Sequence, residues 1–144
     1  SPLSQALGVS VKFVSGCIGP DVQAQVQQLN PGEVLLLENV RFQIGETTCD
    51  PELARALASL GDVYVNDAFG TAHRTHASTV GVVRHFQDKL AGYLIRQEIN
   101  SADKVLHADE RPLIAIIGGA KISDKIKPIG QLIDRVDSLL LGGG

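Results

Sequence analysis

Short apolar runs alternate with helical patterns along nearly the whole chain, and that alternation constrains the fold more than any other feature. Val11-Lys12-Phe13-Val14 reads as a strand, and a helix follows from Asp21, a plausible N-cap, with Val22, Val26 and Leu29 on one face. Val34-Leu35-Leu36-Leu37 is a continuous apolar run, the pattern of a strand covered on both faces. Asp50-Pro51 pairs a capping residue with a proline suited to the first helical position. Leu53, Ala56, Leu57 and Leu60 then form a stripe that Gly61 is expected to stop. Asp62 to Asn66 is a third strand, and Leu113 to Ile117 reads as the cleanest buried strand. Asp124 to Val136 reads as a helix weakened by Pro128 and Gly130, and Ser138 to Leu141 closes the series. Five strands separated by helical segments cannot be joined by hairpins. They need right-handed crossovers, so the class is α/β, with parallel sheets and flanking helices.

Leu90 to His107 carries Leu94, Ile95, Ile99 and Val105 with few breakers, and predicts one long helix. The Leu90 to Pro112 stretch is the best boundary between a first sheet and a second one opening at Leu113. With 44% hydrophobic residues the chain is no disordered tail, and 13 basic against 16 acidic residues leave no basic surface for a nucleic-acid partner. No apolar run reaches the ~20 residues of a membrane span. Cys17 and Cys49 lack a CxxC partner and read as reduced thiols of a cytoplasmic protein. Methionine is absent and the sequence stops at Gly142-Gly143-Gly144, directly after an apolar run, which suggests a segment of a longer enzyme.

In open parallel sheets ligands sit beyond the carboxyl ends of the strands. Four segments qualify: Glu38 to Phe42, Asn66 to His76, Gly118 to Lys125, and Gly142 to Gly144. The first two present Arg41 and Arg74, and an arginine at such an edge can grip phosphate or carboxylate through two parallel N–H···O bonds, though a solvated charge is the plain alternative. His73 and His76 lack a His-Glu-x-x-His context and read as hydrogen-bonding residues rather than metal ligands, with Asp67 as a weak third candidate. His85 and His107 read as surface residues. Gly118-Gly119 directly after a strand lets backbone N–H groups approach an anion, and Lys121 and Lys125 can serve the same pocket if a helix starts at Ser123-Asp124. Neither a Walker A sequence nor GxGxxG is present.

Leu37-Glu38-Asn39-Val40-Arg41-Phe42, the run from Asp62 to Arg74, and Gly118-Gly119-Ala120-Lys121-Ile122-Ser123-Asp124-Lys125 resemble phosphoglycerate kinase, in that family's order and over essentially the whole chain. The resemblance implies a two-domain, Rossmann-like glycolytic phosphotransferase that closes by hinge bending. It implies reversible phosphoryl transfer between 1,3-bisphosphoglycerate and Mg-ADP to give 3-phosphoglycerate and Mg-ATP, in an enzyme that is cytoplasmic and monomeric. Arg41 and Arg74 match substrate-binding positions. Gly119, Ala120 and Lys125 match nucleotide-phosphate positions, and Lys121 matches the lysine that follows the transferring phosphoryl group. Gly142, Gly143 and Gly144 match the turn beside the adenine. The implied division is 1–89 for the second half of the phosphoglycerate-binding domain, 90–110 for the interdomain helix and linker, and 111–144 for the first β-α-β unit of the nucleotide domain.

Several family segments have no equivalent here: an opening Asp-x-Asn strand, a further substrate arginine, a His-x-x-Arg loop, and the later aspartate that coordinates magnesium. No metal ligand is therefore expected within the chain, and the segment alone is expected to be inactive. Two other classes compete, a non-catalytic folding or interaction fragment and a dinucleotide-binding domain whose GxGxxG would begin at the terminal glycines.

Overall fold

The computed structural model describes residues 2–107, 111–119 and 126–142. The described chain divides into two compact units, residues 1–95 and 96–144.

The first unit opens with helix α1 (Pro2–Leu7), which the sequence pattern does not announce. Strand β1 (Val11–Val14) and strand β2 (Val34–Leu37) pair in parallel, Val11 opposite Val34 and Val14 opposite Leu37. Helix α2 (Pro20–Gln27) makes the crossover. It starts one residue before the expected Asp21 cap. Gly19 occupies the capping position without a side-chain bond and Asp21 falls in the first turn, where its charge still favours the helix dipole. Helix α3 (Pro51–Ala58) has the expected cap: Asp50 Oδ1 accepts the Leu53 N–H at 2.8 Å. Its stop comes earlier than Gly61. Ser59 ends it, donating its N–H to the Arg55 carbonyl at 3.0 Å and its hydroxyl to the Ala56 carbonyl at 2.7 Å.

Strand β3 (Val63–Asn66) does not join β1 and β2. It pairs in parallel with β4 (Asp88–Ala91), a strand missing from the sequence reading. Leu90 and Ala91 therefore belong to a strand, and helix α4 (Tyr93–Leu106) begins three residues later than expected. Two tertiary contacts set this start. The Gly92 N–H donates to the Asn66 carbonyl at 2.8 Å, and Asp67 Oδ1 accepts the Ile95 N–H at 3.0 Å, capping α4 from the end of another strand. A Cβ at Gly92 would overlap the Asp67 carboxylate, so the position needs glycine. The core of this unit is small: Leu53, Ala54 and Ala77, with Ile18 and Leu57 packed against it. Tyr64 stacks obliquely on Phe86, ring centres 5.8 Å apart.

In the second unit, β5 (Ile114–Gly118) pairs in parallel with β6 (Ser138–Gly142) across helix α5 (Ile126–Leu132). The expected N-terminus of that helix at Asp124 lies outside the described residues. Both strands expected to be covered on two faces are open on one: Leu36 of β2 is 46% exposed and Ile116 of β5 is 77% exposed. A continuous apolar run records that cover is needed. Among the described residues only one face receives it.

Asp137 pins the entry of both strands of this unit. Its Oδ2 accepts the Leu113 N–H at 2.7 Å and an Arg111 N–H at 3.2 Å, and its own N–H donates to the Leu113 carbonyl at 2.8 Å. The Leu113 bond first, and then Arg111, hold the Asp137 carboxyl below its ordinary value of 3.8. A depressed folded value stabilises the fold above the unfolded pKa, and that contribution fades as pH falls through the folded value. The melting-temperature gap between the wild-type protein and Asp137→Asn should be constant above about pH 5 and shrink below ~pH 4. A gap that grows in acid contradicts the assignment.

Candidate functional site

The loops after β2 and β3 meet around a cavity of about 370 Å³. On the β2 side, the segment leaves Leu37 and turns at once. Glu38 Oε1 accepts the Asn39 N–H at 2.7 Å, and Asn39 Oδ1 accepts the Arg41 N–H at 3.0 Å, capping one tight turn over Val40–Phe42. The same segment is tied to the end of β1. The Glu38 N–H reaches the Gly16 carbonyl at 3.1 Å, and the buried Cys17 thiol donates to the Glu38 carbonyl at 2.9 Å. Burial, followed by the Glu38 charge, pushes the Cys17 thiol up, so it stays protonated as that donor.

On the β3 side, Asn66 Oδ1 accepts the Ala68 N–H at 3.0 Å and starts a turn through Phe69–Thr71. The Arg74 N–H then donates to the Thr71 carbonyl at 2.9 Å. Thr79 Oγ1 donates to the Arg74 carbonyl at 2.7 Å and accepts the His76 N–H at 3.2 Å. The chain continues into one wide π turn, Ala77–Gly81, a geometry that recurs at functional sites.

Arg41, Asn66, Thr71, His76, Ser78 and Thr79 are among the residues lining the cavity. Its two acidic groups are already engaged. Asp67 caps α4, so the role of third metal ligand falls to a structural bond instead. The carboxylate of Glu46, 1% exposed, takes the Ser78 N–H on Oε2 at 3.0 Å and the Ser78 hydroxyl on Oε1 at 2.7 Å. Among the described residues neither Arg41 nor Arg74 forms an ion pair, and both are exposed. Arg41 lines the cavity. Arg74 reaches it through its carbonyl, held by the lining residue Thr79. His73, His85 and His107 are exposed, whereas His76 is buried with Nδ1 3.6 Å from Glu46 Oε1. Burial, and then the Glu46 charge, push the Tyr64 hydroxyl up; it donates to the Ser78 carbonyl at 2.9 Å. Among the described residues no group of three metal-capable side chains converges.

Sequence reasoning missed Glu46, Tyr64, Ser78 and Thr79 as parts of this site. Glu46 sits in a polar loop beside Gly45 and Ser78 lies two residues past His76, the last expected loop residue, so only their meeting in space reveals them.

In the second unit Gly119 leaves the end of β5 with φ 131°, and Gly142 ends β6 opposite Gly118. Ala120, Lys121, Lys125, Gly143 and Gly144 lie outside the described residues.

A family model described as phosphoglycerate kinase matches residues 1–144. Phosphoglycerate kinases from Acaryochloris marina and Moorella thermoacetica are 54% and 56% identical over 142 residues, 99% of this chain. The chain spans 35% and 36% of their lengths, about a third. Among solved structures, phosphoglycerate kinase from Coxiella burnetii aligns with a TM-score of 0.79 at 37% identity, covering 99% of this chain and 35% of that one. The enzyme from Pyrococcus horikoshii aligns with a TM-score of 0.88 at 32% identity, covering 99% and 37%. These matches set aside the dinucleotide-binding alternative. With its loops converging on a cavity at the strand ends and its whole length matched, the chain belongs to the phosphoglycerate kinase family.

Proposed function

We propose that this chain supplies the phosphoglycerate grip and the opening of the nucleotide site of an enzyme that reversibly transfers a phosphoryl group between 1,3-bisphosphoglycerate and ADP. The observation that carries this reading is Arg41: an exposed guanidinium, without an ion-pair partner among the described residues, on the wall of a cavity whose carboxylates are occupied. Five N–H donors in a planar fork match a phosphate or carboxylate better than they match water. Arg74, on the neighbouring loop, is the second cation for the same anionic substrate. Gly119, Ala120, Lys121, Lys125, Gly142, Gly143 and Gly144 hold the nucleotide phosphates and adenine. Magnesium arrives on ATP or ADP as part of the substrate, and its protein ligand lies outside this chain. The segment from helix α4 to residue 110 joins the two parts, and the setting is cytoplasmic glycolysis in a monomeric enzyme.

The chemistry asks for positioning and charge neutralisation rather than a covalent intermediate. Arg41 and Arg74 fix the phosphoglycerate. Lys121, a compact cation on a flexible stem, stabilises charge as the phosphoryl group moves between its two oxygens.

The test is a coupled assay on the full-length enzyme and its Arg41→Ala and Arg74→Ala variants. A charge-assisted bond lost at the substrate is worth about 2–3 kcal/mol, so kcat/KM for 3-phosphoglycerate should fall on the order of 10²-fold, with KM for ATP little changed. The isolated 144-residue chain serves as a control and should show no turnover. Wild-type values in both arginine variants would remove the grip from these residues.

A further inference from the structure

Glu46 is the most deeply buried charged side chain among the described residues, and nothing in the phosphoryl-transfer chemistry uses it. Burying a carboxylate costs several kcal/mol unless its oxygens are satisfied, and an apolar side chain would fill the same space without that cost. Both Glu46 oxygens are satisfied by a single residue, Ser78, one by its N–H and the other by its hydroxyl. That pairing bridges two loops. Glu46 lies five residues after Arg41, in a segment folded by the Gln43 N–H to Val40 carbonyl bond at 3.0 Å and the Glu46 N–H to Gln43 carbonyl bond at 3.3 Å. Ser78 lies four residues after Arg74 and next to Thr79, whose hydroxyl holds the Arg74 carbonyl at 2.7 Å. The Ala77 N–H adds a third link, to the Glu46 carbonyl at 2.9 Å.

We propose that Glu46 is a positioning residue that clamps the Arg41 loop to the Arg74 loop, fixing the separation of two cations that grip one phosphorylated carboxylic acid. The proposal rests on the phosphoglycerate reading of those arginines. A bidentate bond to one serine sets a distance and an orientation, which apolar packing does not. Two arginines held apart without a ligand repel each other, so the clamp also keeps them from relaxing toward solvent before the substrate arrives.

The experiment compares Glu46→Ala, Glu46→Gln and Ser78→Ala in the full-length enzyme, reading kcat, KM for both substrates and the dissociation constant of 3-phosphoglycerate by calorimetry. Glu46→Ala should raise KM and Kd for 3-phosphoglycerate about tenfold or more, leaving KM for ATP within ~2-fold. Glu46→Gln should recover to within ~3-fold, because its amide oxygen can accept the Ser78 N–H while its NH₂ donates to the Ser78 hydroxyl oxygen. Ser78→Ala keeps the backbone bond and should fall between. Loss of the ATP and 3-phosphoglycerate parameters in parallel marks a merely structural role and overturns the clamp. So does an unchanged 3-phosphoglycerate KM in a setting where Arg41→Ala raises it. If Glu46→Ala does not fold, Ser78→Ala decides by the same criterion. Absence of phosphoryl transfer in the wild-type enzyme is the separate signature of a failed functional reading, and it takes the clamp with it.

Discussion

In the full-length enzyme, Lys121→Ala should lower kcat by about 10²–10³ while the dissociation constant for ATP moves only a few-fold. The first number follows from removing one preorganised cation from a transition state whose charge is spread over the transferring oxygens, about 2.7–4 kcal/mol. The second follows from the division of labour proposed for the pocket. In that proposal the backbone N–H groups around Gly119 and the charge of Lys125 remain to hold the nucleotide in its ground state. Gly119 leaves β5 with φ 131°, a backbone conformation open to glycine and rarely adopted by other residues. Lys121 follows two residues on. An interaction made only as the phosphoryl group moves lowers kcat and kcat/KM together, and that joint fall separates it from simple binding. The measurement is steady-state kinetics in both directions combined with nucleotide titration. Unchanged turnover, or a rise in KM for ATP with kcat intact, would take Lys121 out of the transfer step.

The second large effect is on folding. Gly45→Ala should destabilise the enzyme by about 2–5 kcal/mol and raise KM for 3-phosphoglycerate as well. Gly45 sits at φ 96°, where a β-carbon is strained, at about 1–2 kcal/mol. A Cβ there would also lie 2.6 Å from the Asp50 Cβ, and overpacking of that kind costs a further ~1–3 kcal/mol. The neighbour cannot yield easily. Asp50 donates its N–H to the Gly45 carbonyl at 2.9 Å and caps α3 through its side chain. Moving it sacrifices the cap, worth ~1 kcal/mol by itself. Gly45 also precedes Glu46 and follows the Arg41 turn, so the displacement is transmitted to the cavity wall. Gly61→Ala is the matched control: its φ is ordinary and the nearest atom to a new Cβ, the Val63 carbonyl oxygen, is 4.0 Å away. Denaturant midpoints for the two variants give the comparison. Equal midpoints would mean that the loop absorbs the strain.

The alternation of apolar runs and helical stripes was enough to read the class, the parallel pairing and five strands nearly to the residue, because a crossover leaves its period in the sequence. Asp50-Pro51 likewise announced α3, since its cap is made within three residues. Local signals failed where the partner was distant. Leu90 and Ala91 read as the start of a helix, and they belong to a strand because β3 pairs with Asp88–Ala91 and Asp67 starts the helix only at Tyr93. The pairing of β3 with β4 rather than with β2 is equally silent in the sequence, because register and neighbour are chosen by contacts between segments.

The candidate site divides in the same way. Arg41 and Arg74 were legible because their loops follow strands, and strand ends are where parallel folds bind ligands. His76 was legible as a candidate but not as a buried one. Glu46 gave no signal at all: a glutamate in a polar loop reads as a solvated charge. What the sequence alone determined about this protein is the order of five of its strands, the arginines in the loops that follow two of them and the family they resemble, since each is written in neighbouring residues. Only the tertiary structure decided that Glu46 turns inward to meet Ser78, 32 residues later, because a bond between two loops exists only once both have been folded into place.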